Sequence, residues 1–305
     1  MTRLHETSRP DSKPDLYTRV TNAIVAELEA GVRPWTKPWS AEHLAGRISR
    51  PLRSTGEPYS GINVILLWAE SVARGYTAPI WITFRQALAL GGHVRKGEHG
   101  ATVVYTNRIT RTESGDNGQD VERQIPFLKA YTVFNVGQVD GLPPHFYALA
   151  EPKLDGAQRI DHAEAFFTAT GADIRHGGAQ AYYASQPDHV QMPPFECFED
   201  PEAYYAVLAH ECTHWTRHPA RLDRGFGRKR WGDDGYAREE LVAELGAAFL
   251  CADLRLELTP RPDHASYIAS WLDALKGDRR FIFTAAAHAQ RAVDFLHQRQ
   301  ALAVA

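Results

Sequence analysis

Val20, Ile24, Val25 and Leu28 recur at helical spacing and predict a helix over 16–30, stopped by Gly31. The apolar run from Ile62 to Trp68 predicts a second helix ending near Gly75, and a short third one over 84–90 stops at Gly91-Gly92. The period then changes. Residues 101–110 and 126–136 alternate in polarity and are rich in β-branched and aromatic side chains, as two strands would be. Between them, 113–120 is so polar that an exposed hairpin loop is expected, whereas 93–100 is either a basic turn or a phosphate contact. Residues 142–156, with Pro143, Pro144 and Pro152, read as a linker.

The second half predicts a helix over 157–170, closed by Gly171, and short strands over 173–175, 181–184 and 189–192. Asp200 suits an N-cap and Pro201 the first helical position, and Tyr204, Tyr205, Leu208, Cys212 and Trp215 then follow at helical spacing. Further helices are predicted over 236–250, 265–275 and 280–296. The strand over 189–192 precedes the Asp200 helix, a place from which an edge strand can pair with an extended peptide. The reading is an α+β chain of two domains, 15–141 and 157–305, with a loose tail over 1–14 and the linker between them. Its 305 residues are enough for two cores.

Candidate chemistry concentrates on His210-Glu211-Cys212-Thr213-His214. At 3.6 residues per turn both imidazoles lie on one face of the predicted helix and reach one ion, with Glu211 beside them. A hydrolytic zinc site needs a third protein ligand and an open position. Glu240 and Glu244, four apart on the 236–250 helix, supply a ligand in Glu240 and an acceptor for a histidine N–H in Glu244. The expected metal is Zn2+, with Mn2+ or Co2+ as substitutes. Glu211 is then the general base of peptide hydrolysis on an unknown protein substrate, and Tyr236 or a residue of 217–234 a second electrophile. The plain alternative is a pair of surface histidines. His288 and His297 are ligands by residue type only.

Hydrophobic content of 44% and charged content of 23% are globular values, and no apolar run has membrane-spanning length, so no membrane partner is expected. Three cysteines without a CxxC pair and a polar start without a signal-peptide core point to a reduced, cytoplasmic protein. The net charge of -3 is unevenly divided: residues 1–150 hold 17 Lys and Arg against 14 Asp and Glu, or +3, which leaves -6 for the rest. Arg33, Trp35, Lys37, Trp39, Arg47, Arg50 and Arg53 interleave cations with aromatics, the composition that binds single-stranded nucleic acid. The competing reading makes Trp35 and Trp39 core anchors under a solvated loop.

Taken together the motifs resemble the ArdC-type antirestriction proteins. The resemblance rests on Gly31-Val-Arg-Pro-Trp-Thr-Lys-Pro-Trp39, Tyr59-Ser-Gly-Ile-Asn63, Lys96-Gly-Glu-His-Gly-Ala101, Val133-Phe-Asn-Val-Gly-Gln138, Met192-Pro-Pro-Phe195, His210-Glu-Cys-Thr-His-Trp-Thr216 and Tyr236-Ala-Arg-Glu-Glu-Leu-Val-Ala-Glu244. It implies an N-terminal domain that binds single-stranded DNA, a C-terminal zincin-like metallopeptidase domain of gluzincin type, and protection of incoming plasmid DNA from host restriction. Two other functions fit the same residues: a metalloprotease acting on DNA-bound or crosslinked proteins, and a DNA-coating protein whose metal is structural.

Overall fold

The computed structural model describes residues 15–31, 33, 35, 50–114, 120–147, 156–198, 200–227, 234–256 and 265–303. Helix α1, Leu16–Glu29, starts where the Asp15 carboxylate accepts the Thr18 amide at 2.7 Å. Helix α2, Ile62–Arg74, ends on Gly75, whose φ of 67° suits a residue without a Cβ. After β1, Trp81–Ile82, helix α3, Phe84–Ala89, opens with a Thr83/Gln86 capping box. Strand β2, His93–Val94, pairs with β5, Val139–Asp140, so the 93–100 turn begins in a small ladder.

Strands β3, Ala101–Ser114, and β4, Asp120–Asn135, form a long antiparallel ribbon, with β1 on the other side of β4. Its ladder runs from Ala101↔Val133 to Ser114↔Asp120, consuming part of the expected polar loop. Backbone pairing propagates through polar positions as long as register is kept. The free edge of β3 is sealed locally: Asn63 on α2 donates through Nδ2 to the Val104 carbonyl at 2.8 Å and accepts the Val104 amide at 2.7 Å.

The predicted linker needs correction over its first residues. Leu142 and Phe146 are buried with Ile82, Ala87, Val136 and Val139, and Pro144–Phe146 is a turn of 3₁₀ helix. The Tyr147 hydroxyl locks it by donating to the Val139 carbonyl at 2.7 Å and accepting the Leu142 amide at 3.0 Å. Prolines here set a turn that two apolar residues anchor.

Helix α4, Gly156–Ala169, leads into strands β6, Asp173–His176, β7, Tyr182–Ala184, and β8, His189–Met192. The order is β6-β8-β7, with β6 parallel and β7 antiparallel to β8. Strand β8 is therefore central and cannot offer the edge expected of it; β6 and β7 hold the edges. Helices α5, Pro201–Trp215, α6, Asp234–Leu254, α7, Ala265–Gly277, and α8, Phe281–Ala303, complete the chain.

One apolar cluster runs through both halves. Helix α1 lies on α7, and Thr21 Oγ1 donates to the Arg279 carbonyl at 2.6 Å. Trp68 on α2 meets Phe249 on α6 with ring centroids 6.0 Å apart. No helix among the described residues is long and apolar enough to cross a membrane.

Candidate metal centre

Helix α5 begins as its sequence predicts, with the Asp200 carboxylate accepting the Ala203 amide at 2.7 Å and Pro201 at the first position. It is buried on all sides from Leu208 to Trp215, which puts His210, Glu211 and His214 inside the protein. Helix α6 lies against it. The approach depends on Gly246: a Cβ there would stand 2.5 Å from Thr213 Cγ2, closer than packed atoms tolerate. That contact brings the acidic face of α6 to the two histidines.

His210, His214 and Glu240 offer one donor atom each, all within 4.8 Å of one another. The two Glu240 oxygens divide between the imidazoles, Oε2 3.5 Å from His210 Nε2 and Oε1 3.4 Å from His214 Nε2. Donor atoms about 2.0–2.1 Å from a tetrahedral ion stand about 3.3–3.4 Å apart, so these residues have the spacing and chemistry of a divalent-metal site. The opposite ring nitrogens also face carboxylates: His210 Nδ1 is 3.5 Å from Glu244 Oε2, and His214 Nδ1 is 3.2 Å from Glu239 Oε1. Such partners select the tautomer that presents the Nε2 lone pair inwards. Glu211 is buried beside His210 on the same helix.

Glu239 was missed in the sequence, where Glu240 and Glu244 drew attention by their four-residue spacing. The available signal was the adjacent Glu239-Glu240 pair, whose side chains diverge by about 100° on a helix. Arg224 holds Glu239 from the other side, donating from Nε to Oε2 at 2.9 Å and from Nη2 to Oε1 at 2.7 Å, and from Nη2 to the Thr213 carbonyl at 2.9 Å. Burial opposes a charged His214, but the Glu240 and Glu239 carboxylates outweigh it and push its pKa up to about 9. Burial likewise opposes the charged forms of Glu240 and Glu239, yet the histidines hold Glu240, and Arg224 with His214 holds Glu239, below the usual carboxylate range. The site is built around acidic groups that favour a cation between them.

Of the two readings of the basic, aromatic stretch, Trp35 follows the core-anchor one. Trp35 is fully buried, edge-on to Trp271 with centroids 5.9 Å apart, so its ring is a core anchor with no face left for a base. Arg50 is buried too: Nη2 donates to Asp253 at 2.9 Å, Nη1 to Gln290 at 2.8 Å, and the guanidinium covers the Phe249 ring at 5.0 Å. A phosphate contact is corrected to an inward brace, because the chain supplies its own carboxylate. Arg33 reaches Glu244 at 3.5 Å. Arg53 is half exposed, over the Tyr59 ring, while Lys37, Trp39 and Arg47 lie outside the described residues.

Residues 14–134 match the model of the N-terminal domain of anti-restriction factor ArdC, and 161–288 that of a zincin-like metallopeptidase. The crystal structure of the antirestriction ArdC protein from plasmid R388, in its metal-free form, superimposes with a TM-score of 0.80 at 46% identity, covering 94% of this chain and 98% of that one. The chain belongs to the ArdC antirestriction family. The Mn(II)-bound form of the same ArdC protein matches with a TM-score of 0.78 at 45% identity. An uncharacterized protein, y4eC, of Sinorhizobium fredii is 47% identical over 95% of this chain and 94% of its own length. A DNA primase TraC of Escherichia coli is 37% identical over 93% of this chain, which spans only 27% of that protein. The two-domain layout of the family is thus present, with the ArdC N-terminal domain and the zincin-like domain sharing a core.

Proposed function

We propose that this ArdC-family chain binds single-stranded DNA, protects incoming plasmid DNA from host restriction, and carries a divalent-metal centre of peptidase type. The observation that carries the metal centre is the convergence of His210, His214 and Glu240, each buried and the two imidazoles each backed by a carboxylate. His210, His214 and Glu240 would hold the ion, zinc by donor type, with manganese or cobalt accepted; that the related ArdC protein has an Mn(II)-bound crystal structure supports metal binding in this family. When bound, the ion supplies a Lewis acid for a carbonyl oxygen and makes a neighbouring water more acidic. Glu211 takes the proton from that water. Glu239 and Glu244 keep Nε2 of each histidine unprotonated towards the centre. The DNA role rests on family membership, and Arg53, Lys37, Trp39 and Arg47 remain its candidate contacts within the predicted stretch.

The test is plasmid transfer into restricting and non-restricting recipients, with and without the chain supplied. The proposal expects higher transfer only into the restricting recipient; equal transfer into both, with or without the chain, contradicts it. Repeating the assay with Glu211→Gln separates protection by DNA binding, which that variant keeps, from protection by hydrolysis, which it loses.

A further inference from the structure

Residues 217–234, which the sequence offers as a source of a second electrophile, turn Arg224 inwards instead. Its side chain is 1% exposed and that of Glu239 5%, so the two charges meet out of water. Four donor bonds leave the guanidinium: Nε to Glu239 Oε2 at 2.9 Å, Nη2 to Glu239 Oε1 at 2.7 Å and to the Thr213 carbonyl at 2.9 Å, and Nη1 to Thr216 Oγ1 at 3.1 Å. Thr216 Oγ1 in turn donates to the same Thr213 carbonyl at 2.6 Å. That carbonyl lies in the last turn of α5, and the Arg217 amide that a continuing helix would give it goes to the His214 carbonyl. The guanidinium therefore also satisfies the negative end of α5.

Glu239 Oε1, which takes one of these bonds, is the oxygen that faces His214 Nδ1 at 3.2 Å, and Thr213 directly precedes His214. One nitrogen, Nη2, thus fixes the backbone next to His214 and the carboxylate partner of its ring relative to each other. Stability alone does not call for this arrangement. Taking a guanidinium and a carboxylate out of water costs about as much as their attraction returns, and a well-packed apolar pair of similar volume often serves as well. The use of the pair is then to be found in what Glu239 touches, the imidazole of a proposed ligand. His210 is backed in parallel fashion by Glu244, which Arg33 reaches at 3.5 Å. The fork of Arg224 on both oxygens of Glu239 is the stiffer brace of the two.

We infer that Arg224 is a positioning residue of the metal centre, which holds the Glu239 carboxylate against His214 Nδ1 and so keeps His214 Nε2 turned towards Glu240 and His210. The inference rests on the metal centre proposed above and concerns a residue outside its ligands. Its test is the zinc affinity of the full chain, by competition with a chelating dye, with melting and circular dichroism of the metal-free protein alongside. Arg224→Met leaves Glu239 buried without its cation, and should lower both the melting temperature and the zinc affinity, the latter by about ten- to a hundredfold. Arg224→Lys keeps the charge without the fork and should fall between that variant and the parent. The double variant Arg224→Met/Glu239→Gln removes both charges, so it should melt near the parent and still bind zinc as weakly as Arg224→Met. Should Arg224→Met fold poorly, the double variant and Arg224→Lys decide. Zinc affinity that returns with stability in the double variant would reduce Arg224 to a structural brace and overturn the inference, as would parent affinity in a folded Arg224→Met. No zinc binding by the parent overturns the metal centre itself.

Discussion

The Arg33 guanidinium lies 3.5 Å from the carboxylate of Glu244, the residue that faces His210 Nδ1. A cation expected to meet phosphate thus reaches the outer layer of the metal centre, with both side chains largely buried. Loss of partners at this distance from a metal commonly costs tenfold or more in affinity when they touch a ligand, and less one bond further out. Arg33→Ala is expected to weaken metal binding by up to about tenfold, measured by competition with a chelating dye, and to leave DNA affinity unchanged. The reverse outcome would return Arg33 to the DNA surface.

Gly246 sets how closely α6 approaches α5. In Gly246→Ala the new methyl meets Thr213 at 2.5 Å, so the helices must part. Overpacking of this kind costs about 1–3 kcal/mol. Urea denaturation should show that loss together with weaker metal binding, because Glu240 moves with α6. A variant with parent stability and parent affinity would show that the close approach is dispensable.

Trp35 gives a prediction that separates its core-anchor reading from base stacking. Removing a fully buried indole that packs on Trp271 should cost about 3–5 kcal/mol of stability. The fraction of Trp35→Ala that remains folded should still bind single-stranded DNA as the parent does. Weak binding by a chain of parent stability would mean that the ring meets bases after all.

The metal-free centre has a definite pH response. His214 titrates at about 9 in the folded chain against an ordinary 6.5, so its contribution to stability is complete below about 6.5 and is lost as pH rises through about 9. Glu240 is shifted the other way, so its contribution is present above its ordinary 4.5 and lost as pH falls below that. Melting of metal-free protein should therefore be lower at about pH 9.5 than at about pH 6, and apparent metal affinity should climb over the same interval as the competing proton leaves His214. Equal melting at the two pH values would remove the proposed link between His214 and its carboxylates.

What the sequence revealed was what neighbours in sequence decide. The start of α5 follows from Asp200 and Pro201, and the pairing of His210 with His214 follows from one helical turn. The sequence left Trp35 open between a core anchor and a base-stacking ring, and Arg50 escaped, because their partners, Trp271 and Asp253, stand more than 200 positions away, and composition cannot tell a solvated cation from one that meets its own carboxylate. Strand β8 looked like an edge because β6, which pairs with it in parallel, is separated from it by β7 in sequence. Glu239 was hidden by its neighbour: spacing favoured Glu240 and Glu244, and only the turn that carries Arg224 shows why a third acid is needed.

Metal content tests the centre most directly. Purified chain, loaded with zinc or manganese, dialysed and measured by elemental mass spectrometry, should hold about one ion per molecule, as a site with three protein ligands would. Glu211→Gln should retain that ion, while His210→Ala and Glu240→Ala should lose it though still folded by circular dichroism. Stoichiometric metal in Glu240→Ala, or none in the parent, would contradict a centre built from His210, His214 and Glu240.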